Sequence, residues 1–163
     1  MFFEKIPFVV RLILPILWYG LICFLTELPV AGNYYTAKVF NDATAPVYTE
    51  IAKKKADPVY INPIADVLNT AFRVGSHLFV FGILAVLIYL LIQPSLLFNK
   101  KKYWITLLII IILGTLDEVH QTFVPGRLGV PVDVLKDAIG AVLFVLLVTF
   151  WKSKMIKIEN KGI

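Results

Sequence analysis

The sequence predicts an all-α membrane protein: a polytopic bundle of four transmembrane helices, with a long, partly helical extracytoplasmic loop between the first and second. Three observations carry this. The 163 residues are 59% hydrophobic and 17% charged, with a mean hydropathy of +0.81, against about 45–50% apolar and about 25% charged in ordinary soluble domains. Four apolar runs approach or exceed the length of a bilayer crossing. Basic residues gather in alternate connections between those runs. A water-soluble core of this size cannot bury so much apolar surface behind a polar exterior, so a soluble enzyme and a disordered chain are excluded. The single cysteine, Cys23, excludes an intrachain disulfide scaffold and reads as a small buried hydrophobe. The chain is read as one domain over residues 1–163.

The first span is expected at about 6–28, interrupted near its ends by Arg11 and Glu27, with Pro15 as a candidate kink. Val30-Ala31-Gly32 has the small residues of a signal-peptide cleavage site, but Pro29 fits such a site poorly, so the span is read as retained. The connection at 29–74 holds Lys53-Lys54-Lys55 and three helix-breaking prolines, Pro46, Pro58 and Pro63. Within it, 36–56 suits a short amphipathic helix or two, and 64–74 also has helical spacing. The second span is expected at 75–98, the third at 103–123 and the fourth at 132–151. The charge-free cores of the last two, Tyr103–Leu116 and Ala138–Trp151, are 14 residues each. At 1.5 Å per residue that is about 21 Å, short of a hydrocarbon core of about 30 Å. Lysines mark one end of each helix, so each must lengthen toward its acids, drawing Asp117, Glu118, Asp133 and Asp137 to the membrane edge.

Placing the N-terminus in the cytoplasm puts nine bases and two acids, Glu4 and Glu159, on the inner side, a net +7. The outer side then holds seven bases and nine acids, a net −2, which accounts for the overall +5. The positive-inside rule therefore predicts both termini cytoplasmic. The basic pI near 9.3 reads as a topology signal, and no nucleic-acid partner is expected. Tyr103, Trp104 and Trp151 suit interfacial anchors, whereas Trp18 and Tyr19 fall mid-span and suit that role poorly.

With this topology the unusual polar residues collect at the outer ends. Glu27 closes the first span. Arg73 and His77, four apart, share a face at the start of the second. Asp117, Glu118, His120 and Gln121 close the third, and the turn Phe123-Val-Pro-Gly-Arg presents Arg127. Asp133, Asp137 and Gly140 lie at i, i+4 and i+7 along the fourth, two carboxylates followed by a residue that admits a neighbouring helix; Gly114 offers the same on the third. Ionisable groups in a membrane are costly and pair with one another or line a polar cavity.

These residues resemble a known family. The run from Asp117 to Arg127 (DEVHQTFVPGR), then Asp133, Asp137 and Gly140, is similar to the signature of VanZ-like membrane proteins. So is the upstream set of Arg73, His77, Phe79 or Phe81, and Gly82. The family more often has Lys at the position of Arg73, and a serine pair where Thr26-Glu27 stands. The resemblance implies a place in the bacterial plasma membrane, a role in the cell envelope and an association with teicoplanin resistance.

The chemistry read from the residues themselves has alternatives. Glu118, His120, Asp117 and His77 suit acid–base work, with Glu118 and His120 as the working pair. The same carboxylates and imidazoles suit a divalent metal, or a purely structural ion network. Arg127 and Arg73 suit bidentate capture of a phosphate or carboxylate, with Gln121, Asp133 and Asp137 lining the site; Asp133 and Asp137 would orient Arg127 or bind a cation. Ser76, Thr115 and Thr122 are hydroxyls without a nucleophile signature. The expected partners are membrane lipids and a lipid-linked cell-wall precursor or a glycopeptide. An enzyme, a binding or masking protein and a transporter subunit all remain compatible with the sequence.

Overall fold

The computed structural model describes residues 6–27, 38–46, 63–92, 101–125, 127 and 129–159. Every regular element among them is a helix: α1 (Phe8–Glu27), α2 (38–46), α3 (Pro63–Ile92), α4 (Lys102–Gln121) and α5 (Pro131–Glu159). All but α2 are long and apolar enough to cross a membrane. The rest of the connection between α1 and α3, including the Lys53–Lys55 run, and the expected end of the second span at 93–98 lie outside the described residues.

Two helices are longer than the sequence predicts. The helical stretch at 64–74 and the second span are one 30-residue helix, α3. Gly75 sits inside it with open space around it, and a single glycine costs a helix about 1 kcal/mol, too little to break a run this apolar. Pro63 opens the helix where its missing N–H costs nothing. Pro131 starts α5 in the same way, and α5 continues two turns past Trp151. By contrast α4, at 20 residues, is about 30 Å long, and its last turn holds Glu118 and His120.

The most extensive interface lies between α3 and α5. At Gly140 the backbone of α5 meets the carbonyl and Cα of Leu78, leaving no room for a side chain. One turn further along each helix, Phe144 lies over Gly82, where a Cβ would come within 2.6 Å of the ring. The core continues through Phe81, Leu84, Ala85, Ile88, Ile110, Ala141 and Val145, with Ile22 closing it from α1. The outward faces, such as Leu143, Leu146, Leu147 and Phe150 on α5, remain exposed, as an apolar solvent allows. Trp18 and Tyr19 do not serve as interfacial anchors. The Trp18 indole N–H donates to the Val80 carbonyl at 2.9 Å, and the Tyr19 hydroxyl donates to the Leu113 carbonyl at 3.1 Å. Each uses the spare lone pair of a helical carbonyl to pin α1 to its neighbours.

Candidate functional site

The C-terminal ends of α1 and α4, the first half of α3 and the N-terminal end of α5 meet at one end of the bundle. On the α3–α5 side, Arg73 donates from Nε (3.1 Å) and Nη2 (2.5 Å) to Asp133 Oδ2. Lys136, one turn on, donates to Asp133 Oδ1. His77 lies between the two aspartates, with Nδ1 2.9 Å from Asp137 Oδ1 and Nε2 3.5 Å from Asp133 Oδ2. The ring stacks on Phe81, its planes 6° apart. Asp133 and Asp137 are both 0% exposed, and Asp137 Oδ2 is buried without a hydrogen-bond partner. Gly114 of α4 closes over that oxygen: a Cβ there would lie 2.8 Å from it.

Glu118 is also buried, and its Oε2 accepts the Val130 N–H at 2.5 Å. The carboxylate thus meets the backbone immediately before α5, where unpaired N–H groups and the helix dipole favour negative charge. Gln121 bridges the two sides of the site: its Nε2 donates to Asp117 Oδ2 (2.8 Å) and to Glu118 Oε1 (3.4 Å). On the α1–α4 side, Thr26 donates to Asp117 Oδ1 at 3.3 Å, and His120 Nε2 pairs with Glu27 Oε1 at 2.8 Å near the surface.

The connection from α4 to α5 folds as two tight turns, with Val124 N–H on the Gln121 carbonyl and Arg127 N–H on the Val124 carbonyl, each at 3.1 Å. It packs so closely at Gly129 that a Cβ there would strike the Glu118 carbonyl and Thr122. The Arg127 side chain is half-buried, and among the described residues no ion pair holds its guanidinium. Burial lowers its pKa from the usual arginine value; Asp117 opposes this, and the nearby charge of Arg73 adds to it. The group stays cationic, and among the described residues no hydrogen bond occupies its guanidinium.

The VanZ/LLP1 family model matches residues 11–152. The chain belongs to the VanZ/LLP1 family. No curated protein and no solved structure matches it. In this VanZ/LLP1 protein the charged and amide residues of the family signature, Arg73, His77, Asp117, Glu118, His120, Gln121, Arg127, Asp133 and Asp137, lie at the same end of the bundle, but not as one set. Glu118 and His120, expected as a working pair, point apart, because two positions along a helix turn the side chain through about 200°. Glu118 groups with His77 and Asp133, and His120 groups with Cys23 and Asp117; within each group, potential ligand atoms lie within 4.8 Å of one another. Among the described residues, these are the two groups of such side chains close enough together to share a metal ion. Asp133 serves Arg73 and Lys136 and makes no contact with Arg127.

Sequence reasoning missed Lys136, although its i, i+3 spacing from Asp133 is a legible signal. It also treated Cys23 as a bystander, whereas its sulfur stands beside Asp117 and His120. The candidate hydroxyls are committed elsewhere. Ser76, Thr115 and Thr122 each donate to a carbonyl of their own helix or its final turn, so none faces a base.

Proposed function

We propose that this VanZ/LLP1 protein works at the outer face of the bacterial plasma membrane, with both termini cytoplasmic, and recognises an anionic group on a lipid-linked cell-wall precursor or phospholipid. In this reading it lowers susceptibility to teicoplanin. The observation that carries it is the half-buried Arg127 guanidinium, free of any described ion pair, beside a buried set of carboxylates and imidazole. A guanidinium so placed is suited to grip a phosphate through paired N–H groups. His77 and Glu118 then stand ready to move a proton or hold an activating ion.

A second reading is binding without turnover, in which the protein masks the precursor or captures the glycopeptide. It is favoured by the three hydroxyls bonded back to their own backbone, which leaves water, Thr26 or Cys23 as the nucleophile for any hydrolysis.

The test is teicoplanin susceptibility of a sensitive bacterium expressing the chain. Arg127→Lys keeps the charge and loses the paired geometry, and it should abolish protection at unchanged membrane abundance. Protection equal to wild type would remove Arg127 from the mechanism. Glu118→Gln separates the two readings: a catalytic role predicts lost protection with ligand binding retained, and a binding role predicts both retained.

A further inference from the structure

We propose that His77, Glu118 and Asp133 form a divalent metal site suited to zinc or manganese, with Asp137 as the residue that aims the histidine. The proposal deepens the reading above, and its test measures the ion, so either can fail alone. The three side chains come from three different helices and present ligand atoms within 4.8 Å of one another. His77 Nε2 and Asp133 Oδ2 are 3.5 Å apart. Two donors on one tetrahedral ion with bonds of about 2.1 Å stand roughly 3.4 Å apart, so this edge of the site has its length already. One imidazole and two carboxylates suit zinc or manganese.

Two further observations point to a cation. The first is the Asp137–His77 contact at 2.9 Å, made through Nδ1. A carboxylate that accepts the Nδ1 proton fixes the tautomer in which Nε2 carries a lone pair, the arrangement that supports metal-bound histidines. The other oxygen of Asp137 is fully buried, has no hydrogen-bond partner and is walled off by Gly114. The second is the charge balance. Among the described residues, Asp117, Glu118 and Asp137 are buried without contact to any lysine or arginine, and Asp133 alone has such partners. Buried carboxylates without a cation are costly in a bilayer, and a divalent ion offsets two of the charges. Binding requires Arg73 to give up part of its double contact with Asp133 Oδ2. Arg127 lies within electrostatic reach of both Arg73 and Glu118, so the two guanidiniums would favour an anionic ligand beside such an ion.

The experiment uses the full chain in detergent, stripped with chelator and titrated separately with Zn²⁺, Mn²⁺ and Co²⁺. One ion per chain is expected by elemental analysis after desalting. Asp137→Asn and Glu118→Gln should each weaken uptake about 10–100-fold, while Cys23→Ala should bind as wild type. Glu118→Gln keeps an acceptor for the Val130 N–H and is the gentler variant. The wild-type Co²⁺ spectrum needs no variant: nitrogen and oxygen ligation without a thiolate band is expected. A thiolate charge-transfer band would put the ion on Cys23 and overturn the assignment. So would stripped wild-type protein that takes up none of the three ions, or Asp137→Asn and Glu118→Gln variants that bind as tightly as wild type.

Discussion

The two ends of the bundle handle charge in opposite ways. At one end, Asp117, Glu118, Asp133 and Asp137 are buried between helices and depend on one another's neighbours for every hydrogen bond. At the other, the described lysines stay at the rim, and Arg11 is the exception, with Nε and Nη1 buried and without a hydrogen-bond partner. Lys102 lies over the rings of Tyr89 and Tyr103, 5.7 and 5.8 Å from their centroids, and Lys154 lies 4.9 Å from that of Phe150. Trp104 and Trp151 remain largely exposed there, as interfacial aromatics do. A rim charge keeps its ammonium in water or among head groups while its stem covers apolar surface. An interior charge has no such retreat. The rim can therefore lose a charge cheaply and the interior cannot, a difference that single substitutions can measure.

The largest effect is expected at Asp133. Asp133→Ala strands Arg73, Lys136 and one nitrogen of His77 together, with the acceptor they share gone. Removing one partner of a buried ion pair costs about 3–5 kcal/mol, which should appear as a collapse in membrane abundance and in the thermal unfolding midpoint of purified protein. The double variant Arg73→Met, Asp133→Leu should recover part of the loss, since the stranded guanidinium is gone and Lys136, 24% exposed, can turn its ammonium toward water. If Asp133→Ala is no more harmful than a rim substitution, the contrast between the two ends is wrong.

Glycine gives a second contrast, within the bundle wall. Gly140→Ala drives a methyl into the Leu78 carbonyl, backbone that cannot swing aside as a side chain can. Such overpacking costs about 1–3 kcal/mol and should lower the unfolding midpoint by several degrees. Gly75→Ala meets open space in the middle of α3, and there the gain in helix propensity, up to about 1 kcal/mol, should raise it. Opposite signs from the same substitution would locate the close contact without a new structure.

Much of this end of the molecule is legible in the sequence because helical spacing is rigid. Arg73 and His77 at i, i+4 form one stripe, and Asp133, Asp137 and Gly140 form another; in the fold the two stripes meet residue for residue, Arg73 with Asp133, His77 with Asp137 and Leu78 with Gly140. What spacing does not give is which stripe faces which helix. Glu118 and His120 share a short motif and so look like partners, yet the turn of the helix sends one to α5 and the other to α1. The acceptors for Trp18 and Tyr19 are main-chain carbonyls, which every residue carries and no residue advertises. The length of α3 is half hidden: 64–74 has helical spacing in the sequence, but spacing alone does not say that it runs unbroken through Gly75 into the second span.

The smallest effect is expected at Lys102. Its ammonium faces two stacked tyrosines, Tyr89 and Tyr103, whose rings are 5.4 Å apart and whose hydroxyls meet at 3.4 Å. A partly exposed cation over aromatic rings contributes about 0.5–1 kcal/mol. The tyrosine pair survives without it, and the Lys102 carbonyl still accepts the Thr106 hydroxyl whatever side chain stands at 102. Lys102→Gln should therefore shift the unfolding midpoint by no more than a few degrees. Reversal to Lys102→Glu tests a separate property, since the positive-inside rule reads the adjoining basic run as a topology signal. A reporter fused after Arg127 should keep its orientation in Lys102→Gln, because Lys100 and Lys101 remain. It should begin to show mixed orientation only when all three lysines are replaced together. If Lys102→Gln alone unfolds the protein, the rim is bearing interior-type charge and the division between the two ends does not hold.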